Sequence, residues 1–327
     1  MIFKIAGILL WILLSFIFAL FFEWFDRKLF ARFQNRVGPQ ITGYKGILQP
    51  LADFIKLLKK ESIFPKGSNI YWIKFSAISS VALTFFILLF IPLYDFNAPL
   101  SFNGDLILLF GISILIDFLI IITGYFVASP YSNEGAARKA EMIICFEIPF
   151  GIALATIIAI SQYITIRGIL VSQFLSIPLI IFAPLSFIAY LFSSMAKIEK
   201  IPFDAPNAES EIVAGWSTEI SGRNLALFRL SSDLKMFFVA SFGAILFLGG
   251  PVWPFFNNPG LFLINPILNF IIFFIKISII MFLMTMIRSI TARYRIDQVI
   301  NFFWKVIIPL SMLNLILIII LMWVDVI

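Results

Sequence analysis

The sequence predicts an all-α integral membrane protein with about eight transmembrane helices and an amphipathic surface helix in the first cytoplasmic loop. Three observations predict it. Of the 327 residues, 61% are hydrophobic and 13% charged, and the mean hydropathy is +1.04, far above that of ordinary soluble domains. Apolar runs close to the roughly 20 residues needed to cross about 30 Å of hydrocarbon recur along the chain. Basic residues gather in alternate loops, as the positive-inside rule requires.

The apolar runs fall at about 3–22, 72–93, 106–128, 142–162, 177–196, 236–250, 261–287 and 302–324. The first is longer than a signal-peptide core and no small-x-small cleavage site follows it, so it reads as a retained helix. The sixth is short. If the N-terminus lies outside, the odd loops (23–74, 129–141, 197–235 and 288–301) face the cytoplasm and hold 20 of the 24 Lys and Arg, while the even loops hold only Arg167. A count of seven or nine helices would break that alternation. No internal repeat divides the chain, which reads as a single membrane domain over 1–327. Its pI near 9.4 follows from the loop bias, and no nucleic-acid partner is needed to explain it.

The first loop is patterned. Ile47, Leu48, Leu51, Phe54, Ile55 and Leu58 share one helical face, with Asp53, Lys56, Lys59 and Lys60 on the other, a distribution suited to lying along a membrane surface. Such a helix could be a plain anchor, or the wall of a groove for an amphipathic ligand entering from the bilayer. Upstream, Lys28, Arg32 and Arg36 recur every four residues on a helical extension of the first span, placed to meet lipid phosphates or an acidic protein partner. Gly38-Pro39, Gly43 and Gly46 then mark a turn.

Several chemistries are excluded by composition. A single cysteine, Cys145, and the absence of histidine leave no ligand set for an iron–sulfur cluster, haem or an ordinary zinc site. No glycine-rich nucleotide motif occurs. Redox centres therefore belong to partners.

Three charged residues fall inside the apolar runs away from their outermost turns: Asp117, Glu147 and Lys276. A charge at the bilayer centre costs about 2.5 kcal/mol or more, so each needs a partner, water or a function. Glu147, beside Pro149, reads either as a proton-exchanging carboxyl or as half of a structural ion pair. Asp117 and Lys276 are expected to pair across the third and seventh spans. A fourth group stands at the cytoplasmic edge: Asp204, Glu209, Glu211 and Glu219 lie in 201–222 with no Lys or Arg among them. Interleaved with Ile212, Val213, Trp216 and Ile220, they read as a partly buried, hydrated chain able to pass protons, or else as a solvated acidic loop.

These stretches carry a resemblance. "DRKLFARFQNRVGP" with "GILQPLADFIKLLKKE", "GAARKAEMIICFEIP", "PFDAPNAESEIVAGWSTEISG" and "RSITARYRIDQVINFFWKVIIPL" resemble the first, third, fifth and seventh loops of the NuoH family of respiratory complex I, whose mitochondrial counterpart is NADH dehydrogenase subunit 1. The likeness runs from about residue 20 to 315. It implies an eight-helix subunit without its own redox centre in an ion-translocating oxidoreductase, walling part of a quinone chamber and opening a glutamate-lined proton path. By the same resemblance Glu147, Asp204, Glu209, Glu211 and Glu219 would transfer protons. Asp26, Arg27, Arg36, Arg288, Arg293, Arg295 and Asp297 would lie at the quinone chamber or the redox-arm interface. The implied partners are peripheral iron–sulfur and quinone-site subunits, small membrane subunits, antiporter-like subunits and lipid, in a prokaryotic plasma membrane. No cofactor would be bound by this chain, with quinone at a shared interface and iron–sulfur clusters on partners. The sequence departs from the family pattern at Asp26, Glu141 and Asn207, and in "LALFRLSSDLKMF", which carries Arg229 and Lys235. Those departures lean toward quinone-free relatives, the membrane-bound [NiFe] hydrogenases and related sulfur-reducing or ferredoxin-linked complexes.

Overall fold

The computed structural model describes residues 2–175, 177–251 and 266–324. Among them there are helices and turns but no strand. The elements are α1 (Ile2–Phe33), α2 (Gln49–Lys59), α3 (Ile70–Leu88), α4 (Asp105–Phe126), α5 (Pro130–Ser161), α6 (Ile166–Leu175), α7 (Pro184–Lys197), α8 (Glu209–Ile212), α9 (Gly222–Leu248) and α10 (Pro266–Ile290). The last, α11, runs over Ile296–Trp323 with a π-helical stretch at Phe303–Ile307.

Seven of these helices, α1, α3, α4, α5, α9, α10 and α11, are long and apolar enough to cross a membrane. The segment expected as the fifth span is different. Its helix α7 has 14 residues, about 21 Å at 1.5 Å per residue, which is short for a hydrocarbon core. Both of its ends are nevertheless pinned to α9: the Ile180 N–H just before it donates to Phe247 O at 3.0 Å, and Lys235 Nζ donates to Lys197 O at 3.4 Å. A turn and a short helix together thus run beside α9 over much of its length. The sixth expected span, 236–250, also changes, because α9 begins at Gly222. Arg223, Arg229, Asp233 and Lys235 lower the local hydropathy, yet the helix continues through them: Arg223 and Arg229 stay exposed at its surface, and Lys235 is paired with Asp117 of α4. The seventh expected span begins at 261, outside the described residues, and its helix is described from Pro266.

The core is built around α9, whose span is 89% buried against 28% for α1 and α11. Phenylalanines fill it. Phe22 stacks on Phe237 with ring centres 5.6 Å apart, and Phe150 packs on Tyr190 at 5.1 Å; such rings each bury about 150–250 Å² of surface. Tyr190 donates its hydroxyl to Val239 O at 2.7 Å. Outward positions such as Leu9, Ile107, Ile267 and Leu317 are exposed, as expected for faces that meet lipid.

As expected, α1 runs on past the apolar run, carrying Lys28 and Arg32, but it ends at Phe33 and the chain turns at Asn35, φ +54°, so Arg36 lies beyond the expected helical stripe; α2 forms the amphipathic helix, with Pro50 in its first turn where a missing N–H costs nothing. The first and fifth loops are tied together. The Ile63 N–H donates to Ser221 Oγ at 2.8 Å, Ser221 Oγ donates to Ile63 O at 3.1 Å, and the Arg223 N–H donates to Ser62 Oγ at 3.3 Å. Gly222 sits there at φ +58°, where a Cβ would lie 2.4 Å from Glu61 O, so only glycine fits.

Candidate functional site: two buried charge clusters

An inner cluster lies where α4, α5, α7 and α9 converge. Asp117 of α4 is fully buried and lies 2.5 Å from Lys235 Nζ, 3.1 Å from Lys139 Nζ and 4.0 Å from Lys197 Nζ. Lys139 of α5 also meets Glu199 at 2.7 Å. Lys197, at the end of α7, donates to Glu147 of α5 at 2.5 Å and lies 4.6 Å from the centre of the Phe150 ring, a cation–π contact. Three carboxylates and three ammonium groups thus balance one another away from water, the arrangement that makes buried charge tolerable. Glu147 Oε2 and Asp117 Oδ2 are among the carboxylate oxygens buried without a hydrogen bond.

An outer cluster lies at the C-terminal end of α1. Asp26 accepts from Arg288 at 2.6 Å, Lys200 at 2.9 Å and Thr285 at 2.8 Å. Arg27 bridges Glu23 at 2.7 Å and Asp53 of α2 at 2.6 Å. Beside it α1, α2 and α9 enclose a cavity of about 210 Å³, and six of its twelve lining residues are ionisable: Glu23, Arg27, Asp53, Lys200, Arg229 and Asp233.

The stretch Lys197-Ile198-Glu199-Lys200 joins the two clusters. It leaves α7 in a sharp turn, with Glu199 at φ +54°, which sends Lys197 and Glu199 inward and Lys200 to the outer cluster. Burial pushes the Glu199 carboxyl up, but the Lys139 ammonium beside it, helped by hydrogen bonds from Lys139 and Trp216, outweighs this and holds it below its ordinary value. Burial likewise disfavours the Lys200 ammonium, and Asp26 and Glu23 outweigh it, so its pKa is raised. Asp53 is held low against a smaller desolvation by its hydrogen bonds from Arg27 and Gln49.

The NADH dehydrogenase family model matches residues 5–319, nearly the whole chain and both clusters. The chain is 34% identical to the H subunit of NADH-quinone oxidoreductase from Dehalococcoides mccartyi over 91% of its length and 81% of the relative's. It is 36% identical to NADH-ubiquinone oxidoreductase chain 1 of Cyanidium caldarium over 88% and 82%, and 34% identical to the Arabidopsis thaliana chain 1 over 94% and 93%. The chain belongs to the NADH dehydrogenase family. Bacterial and organellar relatives both match.

In this family member the structure brings together some of the expected residues and separates others. Asp26, Arg27 and Arg288 sit in the outer cluster, and Glu147 and Asp117 in the inner one. Asp204 is buried and pairs with Arg293 at 2.5 Å, joining the fifth and seventh loops. Glu211 pairs with Arg138, which also holds Glu134 at 3.2 Å. Glu209, Glu211 and Glu219 are exposed in the isolated chain, as are Arg36, Arg295 and Asp297. Among the described residues Glu209, Glu219, Arg36, Arg295 and Asp297 form no ion pair, though the Arg36 guanidinium lies 5.7 Å from the Phe30 ring.

The expected Asp117–Lys276 pair is not formed. Lys276 donates to Leu248 O at 2.5 Å, at the far end of α9 from Lys235, and thirteen residues of helix separate the two levels by about 20 Å. Asp117 instead takes its three lysines from α5, the end of α7 and α9. The residues that sequence reasoning passed over are Glu23, Lys139, Lys197, Glu199 and Lys200, while Lys235 was noted only as a departure from the family pattern and given no place in a site. Hydropathy ended the apolar runs beside them and so assigned them to watery loops. The signal was there in "KIEK", a charged tetrapeptide directly after an apolar run.

Proposed function

We propose that this chain is the membrane coupling subunit of a complex I-type ion-translocating oxidoreductase. It joins a peripheral redox arm to the membrane arm, contributes a wall of the quinone chamber or its remnant, and begins a carboxylate-lined proton path. It carries no redox centre of its own; iron–sulfur clusters sit on its partners, and the assembly lies in a prokaryotic plasma membrane. The names of the relatives, the H subunit of NADH-quinone oxidoreductase and chain 1 of NADH-ubiquinone oxidoreductase, support this reading.

One observation carries it: charges lead from the cavity between α1, α2 and α9 at Lys200, along the backbone of the turn 197–200 to Glu199, and by ion pairs through Lys139 to Asp117, with Glu147 held by Lys197 of the same turn. Charge that changes at the cavity changes the field at Lys200, and the turn 197–200 passes that change to the inner carboxylates. Interactions of this kind are strong because little water screens them. The expected test is Glu147→Gln in the assembled complex in liposomes, where ions moved per electron pair should fall severalfold. Unchanged coupling would overturn the proton assignment.

A second reading, a quinone-free relative of the hydrogenase type, is favoured by the cavity's composition. Half of its lining is ionisable, whereas sites for apolar ligands are lined mainly by hydrophobic side chains. Inhibition of turnover by a quinone-site inhibitor would select the first reading, and turnover indifferent to one would select the second.

A further inference from the structure

The inner cluster offers one ammonium group two places to be. Lys197 Nζ now donates to Glu147 Oε1 at 2.5 Å, while 4.0 Å away lies Asp117 Oδ2, a buried oxygen with no hydrogen bond. A long unbranched side chain at the end of a helix covers that distance by rotation about its terminal bonds alone. The Phe150 ring, 4.6 Å from Nζ, and the Phe146 ring, 5.9 Å away, give the ammonium a favourable cation–π surface on which to remain during the move.

We propose that Lys197 is a two-position switch that leaves Glu147 for Asp117 when Glu147 takes up a proton. This rests on the reading of Glu147 as a proton-transferring group. The step balances simply. With Glu147, Asp117 and Glu199 ionised against Lys139, Lys197 and Lys235, the six groups sum to zero; among the described residues these are the charged side chains facing the switch from α4, α5, α7, α9 and the 197–200 turn. One proton arriving at Glu147 Oε2 breaks its ion pair and leaves a net charge of +1. The freed ammonium then swings to Asp117 Oδ2, the free acceptor of the carboxylate that all three lysines approach. Loss of the proton restores the first arrangement. Lys197 is thus a positioning residue, and its movement pulls on the turn that ends at Lys200 in the outer cluster.

The test uses the assembled complex. Glu147→Gln mimics the protonated state, and a cryo-EM structure of that variant should place Lys197 Nζ within hydrogen-bonding distance of Asp117. Lys197 still directed at residue 147 would overturn the proposal. In liposomes, Lys197→Met should lower ions moved per electron pair at least fivefold, with Lys197→Arg, which keeps the charge and reach, recovering most of it. Equal coupling in the Met variant and the parent would also overturn it. Should Lys197→Met fail to assemble, the Glu147→Gln structure decides alone. The two ideas fail separately: normal coupling in Glu147→Gln overturns the proton assignment, whereas lost coupling with an unmoved Lys197 overturns only the switch.

Discussion

At the scale of single residues, the carboxyl of Glu199 shows how this chain keeps charge inside an apolar bundle. Its side chain is 10% exposed and lies 2.7 Å from Lys139, and its other oxygen accepts from Trp216 Nε1 at 3.1 Å and from Asn207 Nδ2 at 2.5 Å. Because its pKa is depressed in the folded protein, the stabilisation it gives is present above the unfolded value near 4.5 and is lost as pH falls through the lower folded value. Glu199→Gln should therefore destabilise the protein at pH 7 by about 3 kcal/mol, the cost of breaking a buried pair, and the gap from the parent should close in acid, below about pH 4. Thermal unfolding in detergent at a series of pH values measures this. Lys200 acts with the opposite sign. Its raised pKa means that its contribution holds below about 10.5 and fades only in stronger alkali. Neither residue stood out in the sequence, because a glutamate or lysine beside an apolar run is usually solvated, and only the turn at 198–200 makes these two internal.

At the scale of elements, the decisive joint is the crossing of α4, α5 and the fifth loop. Gly135 of α5 lies so close to the loop that a Cβ there would stand 2.3 Å from Trp216 N. Gly135→Ala should cost about 1–3 kcal/mol through overpacking and displace Trp216 from Glu199. Gly111→Ala on the same bundle, with nothing within 4 Å of its Cβ, should leave the melting temperature unchanged or slightly higher, since alanine favours a helix. A parallel pair of melting curves checks both. Helix existence was largely legible in the sequence: seven of the eight expected spans became helices of spanning length, and the amphipathic face of α2 was readable from its spacing. The short α7 was not, because a hydropathy window reports how oily a segment is and not where its backbone turns. The early start of α9 was hidden for the converse reason: Arg223 and Arg229 on its exposed side lower the hydropathy without breaking the helix, and Lys235 is neutralised by Asp117 of α4, distant in sequence.

At the scale of the whole molecule, the charge asymmetry predicts which end faces which compartment. The ends of α1, α5 and α7 that carry the two clusters lie with the basic loops, while Asn103 and Arg167 stand at the opposite end. With the lone native thiol, Cys145, buried, single cysteines can report this. Lys66→Cys should react with an impermeant maleimide in inside-out vesicles and Asn103→Cys in right-side-out vesicles. The reverse pattern would invert the assigned orientation, and labelling of both from one side would refute the crossing count between them. The family was also legible, since its motifs sit in the cytoplasmic loops in register with the spans. The partner of Asp117 was not, because which buried charges meet depends on depth along each helix, a quantity that two isolated positions in a sequence do not contain.

The seam of hydrogen bonds that joins Ile63 and Ser62 to the Ser221 hydroxyl and the Arg223 N–H ties the chain just after α2, which floors the cavity, to the end of the loop that holds Asp204 and Glu211. Whatever lifts or tilts that floor tugs the acidic segment with it, by a mechanical route that bypasses the bundle interior. On the proposed function, arrivals in the cavity would be felt at the rim through the backbone as well as by electrostatics through Lys200.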